Sequence, residues 1–188
     1  MDANNFAGTI SKELGLVPHN VTIANIPGAP KGMANVFVNP LLSTITATPK
    51  AVEILTEDEL CAVITHELGH SYNHHVEKRL VIDGVSFVLS GINLFLPLPI
   101  WKKVLIQVGL TVAELGVKYK MFHDQEYEAD QLSFRYSLNK QLASALRKLD
   151  AANVSFKSTN PVMAAIGSIT RSSVDGCVIR LNVPVINR

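Results

Sequence analysis

From residue 56 onward, apolar side chains return at helical intervals: Leu60, Ile64 and Leu68 recur every four positions, which puts an apolar stripe on one face of a helix. The start of that helix is marked by Thr56-Glu57-Asp58-Glu59, a hydroxyl N-cap with a glutamate three residues later and an acidic first turn that suits the positive end of the helix dipole. Basic Lys78 and Arg79 suit its far end, so the pattern predicts a helix from about Glu57 to about Lys78. Upstream the period shortens to two. Val21 to Ile26, Asn35-Val36-Phe37-Val38 and Thr44-Ile45-Thr46-Ala47-Thr48 carry the β-branched and alternating residues of half-buried strands, and Pro27-Gly28-Ala29-Pro30-Lys31-Gly32 reads as a loop. A short helix over Thr9 to Leu14 and a small sheet are therefore expected before the long helix.

Downstream the pattern becomes almost wholly apolar. Leu80 to Trp101 is interrupted by Asp83, Gly84, Gly91, Asn93 and the pair Pro97 and Pro99, and Val104 to Val117 by Gln107 and Glu114. A membrane-spanning helix needs about 20 apolar residues, which the first stretch barely supplies and the second does not. The polar interruptions are costly in hydrocarbon and tolerable in a protein core or at an interface. The expectation is an apolar helical insert at about 80–118, either packed as unusually apolar core helices or in contact with a membrane. Beyond it the pattern predicts helices over Gln125 to Ser137, Gln141 to Asn153 and 162–169, and a weakly alternating strand at 177–181.

Composition narrows the function classes. A chain of 188 residues fits one domain, 1–188, and 47% apolar against 18% charged residues is the balance of a chain with a sizeable core. Seventeen basic residues against 16 acidic ones, with no basic run, argue against nucleic acid as a partner. Cys61 and Cys177 match no metal spacing and read as buried thiols, and His19 beside Pro18 reads as a surface residue. The N-terminal residues show no signal peptide, which leaves a cytoplasmic or membrane-associated location as the expectation.

The chemistry sits in the capped helix. His66-Glu67-Leu68-Gly69-His70 is H-E-x-x-H, and residues four apart on a helix project from one face, so two imidazoles can grip one metal ion. Glu67 can then serve as general base toward a water activated at the metal. Catalytic zinc takes three protein ligands and keeps a fourth position open. A metzincin would place a histidine ten residues after His66, where Val76 stands, and His74 continues the same straight helix, which cannot wrap three successive turns around one ion. The remaining source is Glu126-Tyr127-Glu128-Ala129-Asp130. Glu126 and Asp130 share a helix face, so Glu126 can reach the metal while Asp130 accepts a hydrogen bond from a ligand histidine. Glu128 points elsewhere and reads as a solvated charge.

These motifs, in this order, resemble the gluzincin metallopeptidases that include the HtpX heat-shock proteases and the CAAX prenyl endopeptidases. Asn35-Val36-Phe37 is similar to the family's Asn-Ala-Phe strand; Leu55 to Leu60 leads into H-E-x-x-H; Glu126 to Asp130 resembles E-x-x-A-D; Leu142 to Leu149 is similar to the helix that comes next in the family. The resemblance covers about Gly15 to Leu149. It implies an α+β, mainly helical zincin-like domain with the small sheet before the H-E-x-x-H helix. It also implies one Zn2+ per chain on His66, His70 and Glu126, Glu67 as base, and a cleft lined by Thr44 to Thr48, where an extended polypeptide substrate adds as a neighbouring strand. His75 matches a histidine often seen in relatives. Ser158-Thr159-Asn160-Pro161 departs from the family's Ser/Thr-His-Pro element. Transition-state charge on a carbonyl also calls for an oxyanion stabiliser, for which His123, Arg135 and Tyr136 are the candidates near the second motif. The function implied is a zinc-dependent endopeptidase in protein quality control or processing. A peptidoglycan-directed or site-specific processing peptidase, and a catalytically silent metal-stabilised scaffold, remain alternatives; the oligomeric state is not legible.

Overall fold

The computed structural model describes residues 2–39, 42–136 and 138–153; Cys177, Ser158 to Pro161, the helix expected at 162–169 and the strand expected at 177–181 lie outside them. The elements are α1 (Ala3–Glu13), β1 (Asn20–Ile23), β2 (Val36–Asn39), β3 (Thr44–Ala47), α2 (Pro49–Ile54), α3 (Glu57–Tyr72), α4 (His75–Phe95), α5 (Ile100–Arg135) and α6 (Asn139–Asn153). Among the described residues they fall into two compact units, a body formed by the chain up to 73 together with 126–153, and the segment 74–125.

In the body, the expected strands form a three-stranded sheet in the order β1-β3-β2, with β3 parallel to β1 and antiparallel to β2. The sheet and the helices α1, α3 and α6 share one core, in which Ile45, Ile64, Leu68 and Leu142 are fully buried. The mainly helical α+β architecture is the expected one. Helix α2 was not anticipated, although its signal is present: Thr48 caps it, accepting from the Ala51 N–H, and Pro49 occupies the first turn, where its missing N–H costs nothing. His19, expected at the surface, is buried, its Nδ1 facing the Val17 carbonyl at 2.8 Å and the Ser11 hydroxyl at 3.3 Å. Cys61 is buried as expected, and burial raises its thiol pKa.

Helix α3 begins with the expected capping box: Thr56 Oγ1 accepts from the Glu59 N–H at 3.3 Å and Glu59 Oε2 from the Thr56 N–H at 2.8 Å. Glu59 does more than cap, since Ser144 Oγ and Lys148 Nζ both reach it from α6 at 2.6 Å. Burial opposes its charge, but these donors outweigh burial and hold its carboxyl down at about 2. Asn153 ties the far end of α6 to the loop before β2, donating to the Ala34 carbonyl at 2.7 Å and accepting from the Ala34 N–H at 3.0 Å.

The predicted continuation of α3 to Lys78 is incorrect. Asn73 closes the helix by donating from its side chain to the Gly69 carbonyl at 2.9 Å, and His74 takes a left-handed conformation with φ 54° before α4 begins. The separate helix predicted over Gln125 to Ser137 is the end of α5, which runs unbroken for 36 residues because no glycine or proline interrupts 117–135.

Within 74–125, α4 and the first part of α5 form a hairpin that extends past the expected 80–118 limits. Polar side chains tie its two helices together. Asn93, 3% exposed, donates to the Lys103 carbonyl at 2.9 Å; Gln107 donates to Ser90 at 2.9 Å; Lys118 joins Asp83 and Glu114. At its base, Gln125 accepts from Arg79 Nε at 2.7 Å. The outward groups are apolar: Phe87 is 80% and Phe95 89% exposed, with Val81, Leu94, Ile100, Leu105 and Leu115 among others. No helix among the described residues is long and apolar enough to cross a membrane.

Candidate metal centre

One turn of α3 separates His66 from His70, and both rings face α5. Between them lies Gly69, which allows that helix to come close: a Cβ at this position would stand 2.9 Å from the Ala129 Cα and 3.1 Å from its carbonyl oxygen. Such a distance is not tolerated by real side chains, so the bare glycine and the short Ala129 set the helix separation. Glu126, one turn before Ala129, then reaches both rings. Its Oε2 lies 3.5 Å from His66 Nε2, its Oε1 3.6 Å from His70 Nε2, and the two Nε2 atoms are 3.2 Å apart with ring planes at 81°.

These spacings test the metal reading. Zinc bonds of about 2.0–2.2 Å in tetrahedral geometry separate ligand atoms by roughly 3.3–3.6 Å; the two Nε2 atoms, and each Nε2 with the Glu126 oxygen it faces, lie at separations of that order. His66, His70 and Glu126 are also the group of potential metal ligands, among the described residues, whose donor atoms all lie within 4.8 Å of one another.

Asp130, 1% exposed, faces the other side of His66, with Oδ1 3.2 Å from Nδ1. The contact is close without being aligned as a linear hydrogen bond. An Nδ1–H directed at Asp130 leaves the Nε2 lone pair facing His70 and Glu126, the tautomer a ligand needs. Burial opposes a charged His66, but Asp130 and then Glu126 overcome it, holding its pKa well above the usual histidine range. A cation taking this place must displace that proton, so its uptake is linked to pH.

Glu67 projects from the same turn and its Oε2 accepts from the main-chain N–H of Val38 at 3.1 Å. That partner was not foreseen from the sequence; the signal available was the Asn35-Val36-Phe37 motif itself, which places a strand edge beside the helix. The Gly69–Ala129 contact was equally missed, although Gly69 stands at a variable position of the first motif and Ala129 is the small residue of the second.

The other named residues are placed differently. His74 is exposed and pairs with Glu77 at 3.4 Å, which removes it from the ligand set. Tyr136 donates its hydroxyl to Glu13 Oε2 at 2.9 Å, and Arg135 is exposed at the end of α5. His123 lies in the 74–125 segment and is exposed; His75 is fully buried at the start of α4. Glu128 is exposed. The strand Thr44 to Thr48 is the centre of the sheet, paired on both sides, so it has no edge to offer a peptide; the outer edge beside the centre belongs to β2.

Comparison with known proteins converges on one group. The model of peptidase family M48 matches residues 15–165. The chain is 32% identical over 130 residues to the protease HtpX of Legionella pneumophila strain Corby, covering 61% of this chain and 46% of that protein. It is 27% identical over 157 residues to a protease HtpX homolog of Trichormus variabilis, covering 71% of this chain and 53% of the homolog. The chain thus spans about half the length of these curated relatives. Its fold is similar to that of the crystal structure of S. mikatae Ste24p, with a TM-score of 0.63 at 18% identity over 97% of this chain and 49% of the other.

Proposed function

The chain belongs to peptidase family M48, and from that premise we propose that it is a zinc-dependent endopeptidase with His66, His70 and Glu126 as ligands and Glu67 as general base. The observation that carries the reading is the convergence of His66 Nε2, His70 Nε2 and the Glu126 carboxylate within the reach of one ion. When bound there, zinc supplies Lewis acidity toward a substrate carbonyl and makes water at its open position more acidic. Glu67 takes the proton from the attacking water and delivers it to the leaving amine, the role its place on the ligand turn permits. Asp130 holds His66 in orientation, and Gly69 against Ala129 keeps Glu126 within reach of both rings.

The peptide docks on the outer edge of β2 through main-chain hydrogen bonds, in place of the β3 site the sequence suggested. Backbone recognition of this kind suits unfolded polypeptides and a role in protein quality control or processing. The outward apolar surface of the α4–α5 hairpin is proposed to lie against lipid, since large exposed apolar patches mark contact sites.

The test is zinc content together with casein cleavage by the wild type and Glu67→Gln. One zinc per chain is expected in both, with cleavage lowered about 10²- to 10⁴-fold or more in the variant. Zinc in both and cleavage in neither would instead favour a metal-stabilised scaffold.

A further inference from the structure

The edge of β2 and the carboxylate of Glu67 meet at a single main-chain group. The Thr48 N–H donates to the Asn35 carbonyl at 2.8 Å, which makes Asn35 and Thr48 a hydrogen-bonded pair of the antiparallel ladder. Such pairs alternate, and with Val36 opposite Ala47 and Val38 opposite Ile45, the main-chain groups of Val36 and Val38 turn away from β3. Among the described residues no strand pairs with that outer side. Both of its outward donors are nevertheless engaged by side chains. Asn35 Oδ1 accepts from the Val36 N–H at 3.0 Å, and Glu67 Oε2 accepts from the Val38 N–H at 3.1 Å.

An extended peptide laid along this edge finds the outward carbonyls of Val36 and Val38 as acceptors. Its own carbonyls need the N–H groups, and the Val38 N–H is held by Glu67. We propose that the Val38 N–H is a shared positioning group: it holds the Glu67 carboxylate while the edge is empty and passes to a substrate carbonyl when a peptide docks, freeing Glu67 to act. Substrate docking and release of the base are then one event, so the base is not turned toward the reaction centre until a backbone fills the edge. The proposal rests on the peptidase reading, and specifically on docking at β2.

Two catalytically silent variants separate it from that reading. Glu67→Gln keeps an acceptor oxygen for the Val38 N–H, whereas Glu67→Ala leaves none, so an intact peptide can be bound to the zinc-loaded form of either variant without turnover. With fluorescein-labelled oxidised insulin B chain as probe, Glu67→Ala is expected to bind about three- to tenfold tighter, the fold-change of one neutral hydrogen bond no longer displaced. Val38→Pro removes the N–H on an outward strand edge, where proline is tolerated. In that background Glu67→Gln and Glu67→Ala are expected to bind the probe equally. Amide hydrogen exchange supplies a readout that needs no Val38 substitution: Val38 is expected to be protected in peptide-free Glu67→Gln, exposed in peptide-free Glu67→Ala, and protected in both once peptide is added. Equal affinities of the two variants with intact Val38, while the wild type still cleaves the probe, would overturn the shared-group proposal and leave the peptidase reading standing. Absence of both cleavage by the wild type and binding by every variant would overturn the two together.

Discussion

The body and the 74–125 hairpin solve the same packing problem in opposite senses. In the body, Ile45, Ile64, Leu68 and Leu142 are enclosed and charges such as Glu59 are drawn in only where donors meet them. In the hairpin, Asn93, Gln107, Ser90 and the partly exposed Asp83–Lys118–Glu114 group link the two helices, while Phe87, Phe95, Ile100 and Leu105 are exposed. The body is arranged for water as its surroundings, since apolar burial drives its folding. The hairpin leaves large apolar side chains exposed, while several of its polar side chains find partners on the neighbouring helix. The same chain therefore carries two burial patterns, apolar side chains enclosed in the body and exposed on the hairpin.

Substitutions that remove equal amounts of apolar surface should expose the contrast most strongly. Leu68→Ala leaves a cavity beneath the metal helix and is expected to cost about 2–5 kcal/mol in denaturant unfolding; a loss below about 1 kcal/mol would mean that the body core is not closed around α3. Gly69→Ala, which adds a methyl group where the body helices touch, is expected to cost about 1–3 kcal/mol and to weaken zinc binding at least tenfold, read by chelator competition. Unchanged zinc affinity would show that the helix separation does not set the reach of Glu126.

Acid should find the body through Glu59. Its folded pKa lies at about 2, below the ordinary 4.5, so its contribution is complete above the ordinary value and is lost as pH falls toward 2. The loss is on the order of 2 kcal/mol across that window, and Glu59→Gln should flatten it. A variant whose unfolding midpoint follows the same acid limb would assign that limb to other groups. The smallest change in stability belongs to the hairpin: Phe87→Ala should shift the unfolding free energy by no more than about 0.5 kcal/mol. The same substitution should reduce co-sedimentation with phosphatidylglycerol vesicles, and equal sedimentation of variant and wild type would separate the outward face from lipid.

Local signals made much of the body legible. The capping box, the four-residue apolar repeat and the i, i+4 spacing of His66 and His70 are short-range patterns of one helix, and the structure groups those histidines with Glu126 from α5. What escaped was carried by contacts between segments far apart in sequence. Glu59 was readable as a cap, whereas its bonds to Ser144 and Lys148 depend on where α6 packs. The break after Tyr72 was hidden because Asn73 and His74 interrupt the helix by a side-chain bond and a left-handed turn, without glycine or proline. Strand order was equally out of reach, since alternation identifies β3 as a strand but says nothing about which neighbours fill its edges. The strongly apolar run from Leu80 onward falls in α4 and α5, and the run by itself left their inner and outer faces undetermined.

The touching of Gly69 and Ala129 also governs how this chain can tolerate insertions and deletions. Each residue added to a helix rotates the segment before it by about 100° relative to the segment after it. One extra residue between Glu126 and Ala129 would swing the carboxylate away from the histidine pair while leaving every amino acid of both motifs intact. Loop lengths before β2 have no such phase to keep, so change in this fold can accumulate in the turns, while the spacing inside the second motif must stay invariant.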